Sequence, residues 1–331
     1  MPAAGTPVHL VEERDSPTAA YYLLPALAAA GALVRRHGLD TAPSVRELAG
    51  SWVVFNRYVS GPWKRAVAAA RSELAGVAYF MDDDLLDVAA SAGLPARYRW
   101  KLYRLAGRQA GWLAAMEAEV WVSTPWLAAK YAARRPRLLP PAALSGEVPV
   151  GAALPGNRVF YHGTASHRAE IAWLRPVLAA LVAAEPEAEV ELVGGRAVAR
   201  AYAGVPRVTV VQPMPWPTFR RFALWPGRGV GLAPQLPTAF NAARSHVKFL
   251  DITRSGAVGV YAAGSACAAV VTDGVDGLVV PMEPAAWVAA TRRLLADPAR
   301  RRTMLAAARE TCVRLSDAAR RSWTGEEETT E

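Results

Sequence analysis

Short apolar runs alternate with longer Ala-rich stretches of helical spacing along the whole chain. In the first half the runs Val8–Val11, Trp52–Phe55, Val77–Met81 and Val120–Ser123 read as strands with helices between them. The second half restarts the alternation. Strand Arg158–Tyr161 leads into the turn His162-Gly163-Thr164-Ala165-Ser166 and a helix to about Ala184. Strands follow at Glu189–Val193, which ends in Gly194-Gly195, at Arg207–Val211 and at Gly229–Ala233 before Pro234. A helix over Ser245–Ser255 is stopped by Gly256 as its C′ residue. Ala257–Tyr261 is a buried strand, and Asp273-Gly274 and Asp276-Gly277 are turns before strand Leu278–Val280. Trp287–Leu315 is helical, with a break near Asp297-Pro298. This order predicts an α/β fold with largely parallel sheets.

The period is lost between Pro136 and Gly156, where Pro136, Pro140, Pro141, Pro149 and Pro155 mix with Gly146 and Gly151. That segment reads as a linker or hinge. It separates an N-terminal domain over 1–145 from a C-terminal domain over 156–310. Residues 311–331 form a helix end and a frayed tail carrying Glu326, Glu327, Glu328 and Glu331. The length of 331 residues fits two domains of about 150 residues each.

Composition changes the picture in three ways. Apolar residues make up 52%, enough for two cores. The two cysteines, Cys267 and Cys312, form neither a disulfide framework nor a metal-ligand spacing and point to a reducing compartment. The net charge of +9 is spread as +4 over residues 1–150 and +5 over 151–331, which argues against one dedicated nucleic-acid face. Met1–Thr6 lacks a basic segment followed by an apolar stretch, and Tyr21–Val34 is interrupted by Pro25 and Gly31. The expectation is a cytoplasmic protein.

The candidate chemistry centres on Phe240–Asp251. With Ser245 as N-cap, Lys248 falls in the first helical turn and Arg244 just outside it. Cations there oppose the helix dipole unless an anion binds, and free amides with Arg and Lys together suit a diphosphate. Asp251, three residues on, shares a side of the helix with Lys248 and could accept bonds from ribose hydroxyls. The alternative is a surface helix whose Lys and Asp are only solvated. The turn at Gly163 and Thr164, with Ser166 opening a helix, is a second phosphate candidate or an ordinary strand-to-helix turn.

From Arg158 to about Arg309 the chain resembles the C-terminal domain of GT-B glycosyltransferases, close to glycosyltransferase family 4. The ordered pieces are Val159–Thr164, Val193-Gly194-Gly195, Arg207-Val208, Val230–Pro234, Lys248-Phe249-Leu250-Asp251 before Gly256, Val271–Val280, and the helical region from Pro284. The resemblance implies two Rossmann-like domains facing a cleft, with a nucleotide-diphosphate sugar bound to the second. It implies that Lys248 holds the diphosphate and Asp251 the ribose. It places Gly163 and Thr164 toward the donor phosphates and Gln212-Pro213-Met214 toward the base. Lys248 and Arg244 then stabilise the leaving diphosphate without a metal or other cofactor, and closure about the linker excludes water. Retention at the transferred sugar is typical of that family. One departure stands out: many family members carry a Glu eight residues before the ribose-binding Glu, whereas here those positions are Ala243 and Asp251. The first half resembles the family's N-terminal domain loosely, through Tyr79–Leu85 and Val120–Leu127 on the acceptor side.

Three alternatives stay open. Asp82-Asp83-Asp84 after an apolar strand also resembles the Asp-x-Asp of metal-dependent GT-A transferases, which would use Asp82 and Asp84. Ala243 leaves room for a non-catalytic GT-B-like protein that binds a nucleotide or glycan and serves a partner enzyme. Arg97–Trp112 mixes Arg97, Arg99, Lys101, Arg104 and Arg108 with Tyr98, Trp100, Tyr103 and Trp112. That stretch could lie peripherally on the inner membrane face, fitting a lipid-linked acceptor, or be a domain-surface helix that buries Leu102, Leu105 and the Trp rings.

Overall fold

The computed structural model describes residues 1–144, 156–163 and 167–325. The chain forms two compact units. The first comprises Met1–Ala142, Thr238–Ser245 and the chain from Leu315 onward; the second comprises Ala143–Pro237 and His246–Arg314.

Unit 1 is built on β1 (Pro7–Val11), α1 (Leu24–Ala29), β2 (Leu33–His37), α2 (Val45–Leu48), β3 (Trp52–Asn56), α3 (Gly61–Ala69) and β4 (Gly76–Met81). It continues through α4 (Ala96–Leu105), α5 (Ala110–Ala115), β5 (Glu119–Val122), α6 (Pro125–Lys130) and β6 (Arg137–Leu138). The six strands are parallel in the order β2-β1-β3-β4-β5-β6. Parallel strands covered on both faces must be apolar throughout, as Val53-Val54-Phe55 and Val77–Met81 are. Trp63 of α3 is fully buried, meets Phe55 edge-on and donates its indole N–H to the Gly38 carbonyl at 2.9 Å. Thr124 and Pro125 start α6 as the sequence dictates: the Thr124 hydroxyl accepts from the Leu127 amide at 3.2 Å.

Unit 2 carries β7 (Arg158–His162), α7 (Arg168–Ala184), β8 (Glu189–Val193), α8 (Arg196–Tyr202), β9 (Val208–Val211), α9 (Trp216–Phe222) and β10 (Arg228–Ala233). The short α10 (Ala239–Ala242) belongs to unit 1. The chain then supplies α11 (Val247–Arg254), β11 (Val258–Ala262), β12 (Leu278–Val280) and α12 (Pro284–Ala296) to unit 2. Helix α13 (Pro298–Thr324) begins in unit 2 and ends in unit 1. There Trp323 is buried and donates to the Pro140 carbonyl at 3.2 Å. The sheet order β12-β11-β10-β7-β8-β9, parallel throughout, is the doubly wound Rossmann order. Leu174, Leu178 and Leu181 of α7 pack with Val159, Leu192, Val230, Val260 and Trp287 into its core.

The expected strands are present to within a residue or two at their ends. Two strands were not legible. β2 reads Leu33-Val34-Arg35-Arg36-His37, too polar for a buried strand, because it is an edge whose Arg36 is held by Glu12 and Asp15. β6 pairs over only two residues and uses the start of the segment expected to be a linker. Residues 145–155 of that segment and the acidic residues after Gly325 lie outside the described residues. The helix expected to start at Ser245 starts at Val247 instead, with His246 in the N-cap position and no side-chain cap. Its expected end holds: Gly256 has φ +74°, the left-handed conformation of a C′ glycine.

Gly231 of β10 sets how closely α11 approaches the sheet. A Cβ there would lie 2.6 Å from Ile252 of α11. Gly231→Ala should therefore cost about 1–3 kcal/mol through overpacking. In urea unfolding the midpoint should fall with an unchanged slope; an unchanged midpoint would mean that α11 shifts freely.

Candidate functional site

In unit 2 the strand order reverses between β7 and β10, and such a switch point opens a ligand crevice at the strands' C-terminal ends. The sequence places chemistry at that spot. β7 ends in His162 and passes into Gly163, where a Cβ would sit 2.6 Å from the Tyr161 ring. Only glycine fits at this position without displacing Tyr161. Helix α11 reaches the same point. The Lys248 ammonium donates a hydrogen bond to the His162 carbonyl and lies 5.4 Å from the centre of the Tyr161 ring. The two phosphate candidates of the sequence, separated by over eighty residues, are thus one locus.

A buried ionic set underlies it. Glu191 of β8 accepts from the His162 ring at 2.8 Å and from Arg228 Nε at 2.7 Å. The Arg228 side chain is fully buried and also donates to the carbonyls of Phe222, Ala223 and Trp225 at the end of α9. Burial opposes ionisation of Glu191, but the bonds from His162 and Arg228 outweigh it and hold the carboxyl at about 2. Burial lowers the His162 imidazole against the pull of Glu191, so it is neutral at pH 7. Phe219 and Phe222 pack on the same ring. The network was not legible in the sequence, because its three members come from three strands and carry no motif spacing.

The remaining predicted residues are distributed as follows. Thr164 lies outside the described residues. Asp251 is on α11 with Lys248, and its Oδ1 is 3.4 Å from Arg254 Nη2. Met214 is half-buried between β9 and α9. Arg244 and Ser245 belong to unit 1: the Arg244 guanidinium is 5.5 Å from the Phe240 ring centre, and the Ser245 hydroxyl meets that of Tyr22. Ser245 therefore does not cap α11. His246 takes that position, and burial pushes its imidazole down to about 4. Its Nε2 has no hydrogen-bond partner among the described residues. A lone histidine gave no signal in the sequence; its place at the amide end of α11 gives it one. Ala243 is fully buried in the core of unit 1, and its carbonyl accepts from Thr124 at 3.3 Å.

In unit 1 the three aspartates after β4 are structural. Thr18 donates to Asp82 at 2.6 Å, and Arg57 pairs with Asp82 at 2.9 Å and Asp83 at 2.8 Å. Asp84 is fully buried between Lys130 and Tyr131. Asp82 and Asp84 thus face different partners rather than one ion. This corrects the GT-A alternative, which needs both carboxylates on one metal.

No protein-family model and no curated protein matches the chain. Solved structures do. Sucrose-phosphate synthase from Thermosynechococcus elongatus is 18% identical, with 97% of this chain and 98% of that one covered and a TM-score of 0.61. WaaG, a glycosyltransferase of lipopolysaccharide biosynthesis, is 16% identical over 96% of this chain and 100% of that one, with a TM-score of 0.60. Anabaena HepE in complex with UDP-glucose is 12% identical over 96% and 99%, with a TM-score of 0.58. The chain has the GT-B fold. At these identities the likeness establishes architecture, and within it two Rossmann-like units replace the GT-A reading.

The ionic set makes stability depend on acid in a defined way. The folded pKa of Glu191, about 2, is below the ordinary 4.5, so its contribution is complete above about pH 4.5 and is lost as pH falls toward 2. His162 is also held below its ordinary 6.5, so protonation of the unfolded chain favours unfolding below that pH. Glu191→Gln should cost about 3–5 kcal/mol at pH 7, because Arg228 stays buried and charged. Its stability should also fall less steeply than wild type from pH 4.5 downward; parallel acid profiles would show that Glu191 is not ionised in the fold. Ala243→Glu should lower stability by several kcal/mol, on the order expected for a buried unpaired carboxyl. A neutral effect on thermal unfolding would contradict the burial of that position.

Proposed function

We propose that the chain is a glycosyltransferase that moves a sugar from a nucleotide-diphosphate sugar to a glycan, glycolipid or natural-product acceptor. The observation that carries this reading is Lys248 at the carbonyl that ends β7, beside Gly163 and at the switch point of a Rossmann sheet. A diphosphate fits the chemistry of that point. An ammonium, the amide end of α11 and a turn that admits no side chain at Gly163 all favour a dense anion. Lys248 exchanges its carbonyl partner for phosphate oxygens and stabilises the diphosphate as charge develops on it during departure. With that charge and a helix end in place, the reaction proceeds without a divalent ion. His246 supplies a neutral ring at the same helix end. Asp251 turns from Arg254 to the ribose hydroxyls, and Met214 packs on the base. UDP is the favoured nucleotide, because HepE was solved with UDP-glucose and TarM and GtfA with UDP. The motif order of the second half supports kinship with glycosyltransferase family 4 and retention at the anomeric carbon.

Ala243 favours a second reading, a binding protein without turnover. The position where family relatives carry a carboxylate is here inside a core. Release of free UDP from UDP-sugars, or transfer to an acceptor, excludes that reading; binding without either product supports it.

Thermal unfolding with UDP, GDP, ADP and TDP in EDTA tests the donor site. At about 100 times its Kd, UDP should raise stability by ~2.7 kcal/mol. Lys248→Ala should weaken UDP binding about 10- to 100-fold, as expected for a lost charged hydrogen bond, and change the ligand-free midpoint little. Equal loss of binding and fold, or a shift that requires Mg or Mn, would sink the assignment.

A further inference from the structure

Helix α4 presents a face that the donor site does not use. From Val88 to Met116 the sequence contains no acidic residue and carries Arg97, Arg99, Lys101, Arg104 and Arg108. Leu102 is buried in the unit 1 core, with Tyr98 and Leu105 packed partly against it. Tyr98 also accepts from Arg57 at 3.2 Å. Lys101 turns to Glu13 at 2.6 Å and to the Tyr58 ring. These contacts fix which side of the helix faces outward.

The outward side holds the wrong residues for an ordinary solvated face. Trp100 is 61% exposed and Tyr103 is 40% exposed, their ring centres 5.6 Å apart. With a residue every ~100° around the axis, Trp100 is central on this side, with Arg97 and Arg104 flanking one edge and Tyr103 then Arg99 the other. All three arginines are exposed. The sequence left open whether the Trp rings are buried here; Trp100 is not. Beyond the helix the patch continues to Gly107, whose backbone lies against Val88, itself exposed, and to exposed Arg108.

We propose that this face of α4 docks unit 1 onto an anionic lipid bilayer. Trp and Tyr favour the boundary between head groups and acyl chains, where the ring is desolvated and its polar edge stays wet. Arginines on both flanks meet lipid phosphates while their stems lie along the apolar side. The charge complementarity is one-sided, because no carboxylate on this segment would repel the surface. Single-stranded nucleic acid stacks on aromatics too, but it is tracked by a basic groove, and this is the outer side of a helix. Binding through one short helix is weak and reversible, and it sets the protein at the surface where lipid-linked acceptors reside.

Sedimentation with sucrose-loaded vesicles tests this. Full-length protein should bind vesicles of phosphatidylcholine with about 30% phosphatidylglycerol, bind pure phosphatidylcholine far less, and release as salt rises. Trp100→Ala with Tyr103→Ala should reduce binding at least tenfold, and each of Arg97→Gln, Arg99→Gln and Arg104→Gln about fivefold. The UDP-induced thermal shift should stay unchanged in all of them, which separates this surface from the donor reading. Quenching by brominated lipid adds a second measurement: wild-type Trp fluorescence should be quenched, and Trp100→Phe should lose most of that quenching. No binding, equal binding to neutral vesicles, indifference to these substitutions, or tighter binding of a single-stranded RNA through the same residues would overturn the proposal.

Discussion

The reach of Lys248 to the carbonyl of His162 ties the two halves of the candidate site into one place. Neither partner is informative alone. A lysine in a first helical turn opposes the helix dipole, and a glycine after a strand is an ordinary turn. Brought together at the reversal of a parallel sheet, they place an ammonium at the amide end of α11. Other features of unit 2 bear on that point. Gly231 lets α11 lie close to β10, and Gly163 lets the backbone lie close to the Tyr161 ring. Glu191 and Arg228 lock the His162 ring from below, so the carbonyl that Lys248 meets is part of a fixed strand end.

That support has a cost that explains its form. A buried arginine and carboxylate lose their hydration, and the loss is offset only as far as hydrogen bonds replace it. Arg228 meets a carboxylate and three carbonyls at the end of α9, and so closes a helix terminus as well as an ion pair. Unit 1 uses the same device with Arg57 between Asp82 and Asp83. In unit 1 this set lies just past the C-terminal ends of β3 and β4, where open parallel sheets place ligands, whereas in unit 2 it runs from His162 at the end of β7 to Arg228 at the start of β10.

The fold was legible because parallel strands demand apolar runs and helices demand spacing, and both are written locally. Where a strand is an edge, as β2 is, or pairs over two residues, as β6 does, that demand lapses and the pattern disappears. The site was legible only in part. Lys248, Asp251 and Gly163 stood out because each breaks a local preference or occupies a special turn. That Lys248 reaches the end of β7 beside Gly163 depends on which strands become neighbours, which no local pattern encodes. Glu191 and Arg228 were invisible for the same reason. Ser245 misled, since a serine before a helix suggests a cap, whereas its hydroxyl meets Tyr22 in unit 1. The aspartates after β4 misled likewise, since paired carboxylates suggest a metal until their cationic partners are known.

The most direct test is a crystal structure with UDP bound. The account predicts the diphosphate over the turn after β7, with its oxygens about 3 Å from Lys248 Nζ and from the amides opening α11. In that complex the bond from Lys248 to the His162 carbonyl would be loosened or replaced. A nucleotide bound elsewhere, with Lys248 still held on His162, would contradict the account.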